Sequence, residues 1–175
     1  MEAQPPGVNE EGALNFDHSG EGVGGRGTGT CSRQGDGGGS WGSAVGAEPV
    51  DPSNGPVFWK ATIVECHEVM LGVTGNAQIA GRGFSDPATF GWYNADANVM
   101  IAGKPTDGHG GWAAGNLQAG DVKLEAHQLS LRVQRLGAQT FTVPTNGVQN
   151  LRVFACLYPS ANRVQLSRAG AGEEY

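Results

Sequence analysis

The sequence predicts an all-β protein, an antiparallel β-sandwich of jelly-roll-like form entered by a long glycine-rich arm. Three observations carry this. From Pro56 onward apolar residues recur with a period of two. Turn residues interrupt them at roughly eight- to twelve-residue spacing. The glycines, 30 in 175 residues, crowd into the N-terminal third. The predicted parts are an acidic extended arm over 1–55, a sandwich over 56–168 and a flexible tail over 169–175.

The arm is defined by charge and by glycine. Residues 1–55 carry Glu2, Glu10, Glu11, Asp17, Glu21, Asp36, Glu48 and Asp51 against Arg26 and Arg33, so the formal net charge of −6 resides there. The remainder balances nine acidic groups with nine basic ones. Such an arm repels phosphate rather than neutralising it, so nucleic acid is an unlikely partner for it. Between Gly20 and Gly46, twelve of 27 residues are Gly, and the bulky apolar side chains are Val23, Trp41 and Val45. Fixing each backbone unit costs about 1–2 kcal/mol, most of all for Gly, and three apolar groups do not offset that. The arm is therefore expected to order only on another surface, with Phe16, Trp41 and Val45 as its anchors in a partner's pockets.

Strands follow in order. Val57, Trp59, Ala61 and Ile63 alternate with Phe58, Lys60, Thr62 and Val64, a β-branched and aromatic run that reads as a strand largely buried on both faces and continues, through a bulge, to Val73. Phe90–Tyr93 and Asn98–Ala102 are shorter strands bounded by Asp86-Pro87 and Gly103-Lys104-Pro105. A turn or two of helix is expected near Trp112–Gln118. Val122, Leu124 and Ala126 share one face; Leu129, Leu131 and Val133 resume the alternation after a one-residue shift, which marks a bulge or a new strand. Gln139–Val143 is a further strand, and Pro144-Thr145-Asn146-Gly147 a turn. Leu151–Tyr158, apolar at nearly every position, is expected centrally, and Arg163–Ser167 closes the sandwich.

Catalytic chemistry is not legible. Gly22-x-Gly24-x-x-Gly27 and Gly38-x-Ser40-x-Gly42 match the letters of a dinucleotide fingerprint and of a nucleophile elbow. Each motif works only between a strand and a helix, and neither flank is present. Cys66, His67 and Glu68 alternate in side-chain direction on a strand and do not converge on a metal. His109 and His127 read as separate surface or hydrogen-bonded histidines. Cys31, Cys66 and Cys156 are too few and too irregular for a disulfide framework or zinc ribbon. Asn94-x-Asp96-x-Asn98 begins like a calcium loop, but Val99 and Pro105 stand where such a loop needs Gly and Glu. No cofactor, metal or enzymatic activity is expected. No apolar run approaches the roughly 20 residues of a membrane span, and Met1–Pro6 lacks a signal peptide's basic and apolar regions.

The order of parts, with Leu129–Leu136, Thr140–Val143, an Asn-Gly turn and Leu151–Phe154 as consecutive strands, resembles the coats of small icosahedral viruses, parvovirus-like ones in particular. That resemblance implies a virion structural protein, a capsid, decoration or spike component, with other shell proteins or copies of itself as partners and the virion as its location. The alternative expectation is a carbohydrate-binding sandwich, with Trp92, Tyr93 and Trp112 as the platform and Asn94, Asp96 and Asn98 as polar contacts to a glycan.

Overall fold

The computed structural model describes residues 16–19, 23–24, 30–33, 42–65, 68–79, 83–94, 99–110, 120–135, 138, 140–157, 163–169 and 172. Among them fourteen strands form two seven-stranded antiparallel sheets packed face to face. The strands are β1 (Phe16–Ser19), β2 (Val23–Gly24), β3 (Thr30–Arg33), β4 (Gly42–Gly46), β5 (Val57–Glu65), β6 (Val69–Thr74) and β7 (Thr89–Tyr93). They continue with β8 (Val99–Ile101), β9 (Lys104–Thr106), β10 (Gly120–Ala126), β11 (Ser130–Arg135), β12 (Phe141–Pro144), β13 (Arg152–Leu157) and β14 (Arg163–Arg168). One sheet has the order β1-β4-β13-β6-β7-β8-β9, the other β12-β11-β10-β5-β14-β3-β2. The all-β antiparallel sandwich is thus as the residue pattern predicts. No helix among the described residues is long and apolar enough to cross a membrane.

The main core lies between the sheets. Trp59, Ile63, Leu124, Leu131, Val133 and Leu166 from one sheet meet Leu71, Val73, Phe90, Trp92, Val153 and Leu157 from the other, all essentially solvent-free. β5 is buried on one face and not on both as its composition suggests: Trp59, Ala61 and Ile63 point inward, while Phe58, Lys60, Thr62 and Val64 remain partly exposed on the outer face of the sheet. Phe58 is partly covered by Lys123, whose ammonium sits 5.0 Å from the ring centroid.

A second, smaller core explains why β6 and β13 are apolar at successive positions. Val45, Met70, Met100, Phe154 and Cys156 point away from the main core, and Ile79 and Phe84 from the β6–β7 connection cover them. The connection is tied down where the Gly83 amide donates to Ser43 Oγ at 3.1 Å. Asn76 Nδ2 also donates to Asp86 Oδ2 at 2.9 Å. Both faces of this sheet are therefore buried, and a period-two alternation of apolar and polar residues is not required of it.

Three expectations are corrected here. The stretch expected to be an arm supplies strands to both sheets: β4 pairs with β1 on one side and β13 on the other, and β3 pairs with β14. Sheet edges of the same chain satisfy this backbone, so no second molecule is needed to do so. Val45, expected to anchor in a partner's pocket, is fully buried in the protein's own second core. β5 does not run on to Val73; β5 and β6 belong to different sheets, so the chain crosses the sandwich between them. Trp41 and the short helix expected near Trp112–Gln118 lie outside the described residues, and for Phe16 the backbone pairing with Gly46 is what is described.

Candidate protein-interaction surface

Three connections meet at one end of the sandwich. The first, residues 51–56, leads from β4 to β5 and so passes from one sheet to the other. Val50 fastens its start: its backbone N–H donates a hydrogen bond to Leu151 O at 2.7 Å. A single 3-10 turn over Pro52–Asn54 follows, with Asp51 as its cap: Ser53 N donates to Asp51 Oδ1 at 3.0 Å. Those bonds to Ser53 hold the Asp51 carboxyl below its ordinary value of 3.8. A carboxyl lowered on folding stabilises the turn above its unfolded pKa, and that contribution fades as pH falls through the lower folded value. The Ser53 amide proton shift is accordingly expected to titrate with a midpoint below 3.8 in an NMR pH series, and a midpoint at or above it would show the cap is not formed.

The second connection is the β10–β11 hairpin turn, His127–Leu129. Ala126 pairs with Val57 and with Leu131, which brings this turn beside the 51–56 connection. The one-residue shift in the alternation is therefore a hairpin reversal, closed by His127 N to Ser130 O at 2.8 Å. Leu129 is left 65% exposed at its tip. The third connection crosses back from β12 to β13. It turns at Asn146 (φ 54°) and Gly147 (φ 71°), both left-handed as a type I′ turn requires, with Val148 N donating to Thr145 O at 3.1 Å. Thr145 N to Leu129 O, 3.0 Å, ties the second connection to the third.

Between the first two connections and the outer face of β11–β12 lies an open groove of about 560 Å³, lined by Pro52, Ser53, Gly55, Pro56, His127, Gln128, Leu129, Ser130, Arg132 and Thr142. A smaller pocket of about 140 Å³ continues beneath Leu129 toward Gly147 and Val148. Register aligns Glu125, Arg132 and Thr142 as directly opposed residues across β10, β11 and β12. Glu125 Oε1 lies 2.7 Å from His127 Nε2, while Arg132 Nη1 stands 3.6 Å from Oε2.

Two members of the aromatic and polar platform expected from the sequence, Trp92 and Asn94, are not at the surface. Trp92 is fully buried in the main core, because its position on β7 turns it inward beside Phe90. Asn94 is also fully buried and acts as an extra rung of the ladder: its Oδ1 accepts from Val69 N at 2.7 Å and its amide donates to Val69 O at 3.2 Å. Tyr93 is half-buried, donates its hydroxyl to Glu68 Oε2 at 2.7 Å, and stacks on Phe84 with ring centroids 6.5 Å apart. Asp96, Asn98 and Trp112 lie outside the described residues, as do Cys66 and His67. Among the described residues no three His, Cys, Asp or Glu side chains gather as a metal site would need. The groove itself was not legible in the sequence. Its signals were Leu129 in a turn and the Pro52-Ser-Asn-Gly-Pro56 run, neither of which shows in a linear pattern that it adjoins the other.

The fold is that of SPRY domains. The SPRY domain of human HERC1 superposes with a TM-score of 0.61 at 10% identity, covering 83% of this chain and 90% of that one. A second human SPRY domain gives 0.54 at 13% identity, covering 83% of this chain and 93% of that one. No protein-family model and no curated protein sequence matches the chain. These likenesses correct the expectation of a virion structural protein located in a virion: the architecture matches that of human SPRY domains and not that of a viral shell subunit. The physical reason is topological, since a period-two pattern specifies strands and their inward faces but not the order in which they are laid side by side.

Proposed function

We propose that this chain is a non-catalytic protein-interaction module of SPRY-like architecture. Its groove between residues 51–56 and the β10–β11 turn takes a short segment of a partner protein. The observation that carries the reading is the groove of about 560 Å³ with Leu129 exposed at its rim. Its volume falls in the range of small binding sites, and its walls are connections held on a rigid double sheet, the usual setting for recognition loops. SPRY domains as a class serve protein–protein recognition, which supports a protein rather than a glycan as partner. An extended segment of a few residues fits an open groove better than a deep pocket does.

The test is selection of displayed twelve-residue peptides on the full chain, followed by fluorescence polarisation with wild type and Leu129→Ser. Enriched peptides are expected to lose at least about tenfold in affinity on that change. The melting curve should stay in place, because an exposed turn side chain contributes little to the core. Peptides that bind both forms equally, or failure of any peptide to enrich, would count against this surface.

A further inference from the structure

We infer that the partner segment carries an acidic side chain that pairs with Arg132. This rests on the groove being a peptide site and adds the chemistry of its occupant. Arg132 and Glu125 are opposed in the β10–β11 ladder, yet at 3.6 Å their contact is longer than a hydrogen bond. The short contact of that carboxylate, 2.7 Å, is with His127 instead. The two side chains are also unequally placed, Glu125 at 12% exposure and Arg132 at 45%. The carboxylate is tucked against the sheet while the guanidinium stands over the groove.

Among the described residues Arg132 makes no hydrogen bond, so its five N–H donors are open to water or to an arriving acceptor. Among the described residues lining the groove it is the one permanently charged group, and none of them is Asp or Glu. Asp51 lines the smaller pocket next to it and is occupied with Ser53 N. Hydroxyl and amide groups of Ser53, Gln128, Ser130 and Thr142 complete a wall of neutral donors around a single cation. Such a wall complements a carboxylate, which an arginine can grip with two parallel bonds. It opposes a lysine at the same place, so the charge acts as a selectivity device as much as a source of affinity.

The experiment takes the Leu129-dependent peptides from the display selection and replaces each Asp by Asn and each Glu by Gln in turn. One such replacement is expected to weaken binding to the wild-type chain at least about tenfold, and to have less than about a twofold effect on Arg132→Gln. Arg132→Glu is expected to prefer the same peptide with Lys at that position. Because Arg132 is on the surface, both variants should melt with the parent. Leu129-dependent peptides with no acid whose amide weakens binding, or an acid dependence that persists in Arg132→Gln, would overturn the pairing and leave the peptide site standing. If no peptide depends on Leu129, the site reading itself fails and the pairing with it.

Discussion

Gly72→Ala is expected to destabilise the domain by more than about 4 kcal/mol, a large share of the 5–15 kcal/mol typical of a folded domain. Gly72 and Gly91 stand opposite each other in the β6–β7 ladder. A Cβ built on Gly72 would lie 2.0 Å from Phe90 O and 2.7 Å from Gly91 Cα. One built on Gly91 would lie 2.2 Å from Leu71 O. The obstacles are backbone atoms in the middle of a sheet, so no rotamer change relieves them. Relief requires the two strands to separate, at the expense of the ladder between the main core and the second one. Urea denaturation monitored by tryptophan fluorescence checks this, and a midpoint near that of the parent would mean the strands do not approach so closely.

Trp92→Ala is expected to cost about 3–5 kcal/mol and to do so as lost stability. Trp92 is fully buried among Leu71, Phe90 and Val99 of its own sheet and the side chains facing them. Removing the indole leaves a cavity that a close-packed core fills only in part. A Trp on a ligand platform would behave in the opposite way, with an unchanged melting curve and weaker binding. Calorimetric melting of the variant therefore separates the two roles, and an unshifted melting temperature would return Trp92 to the surface.

Part of this architecture is legible in the chain itself. Alternation in 122–126 and in 131–133 places Leu124, Leu131 and Val133 inward, where they are found. The apolar run at 151–158 marks a strand flanked by neighbours, and β13 lies between β4 and β6. The Asn146-Gly147 turn follows from residues that tolerate positive φ. Misjudged was the glycine-rich N-terminal stretch, whose ordering cost was weighed as though it had only its own side chains to offset it. In the folded chain β4 slots between β1 and β13, and residues far away in sequence, Met70, Phe154 and Ile79, bury Val45. Small side chains there are what let the β6–β7 connection lie close enough for Gly83 to reach Ser43.

The sequence by itself determined that the chain after Pro56 is built of strands, which residues of β10 and β11 face inward, and where several turns fall. These depend on backbone conformation and on side-chain period, both of which are local. Only the tertiary structure decided the order of strands in each sheet, the second core, the burial of Trp92 and Asn94, and the meeting of Pro52, Leu129 and Arg132 around one groove. Those four depend on contacts between segments far apart in sequence, Cys31 and Val164 among them. Such contacts are chosen by the free energy of the whole packed arrangement, which no local period encodes.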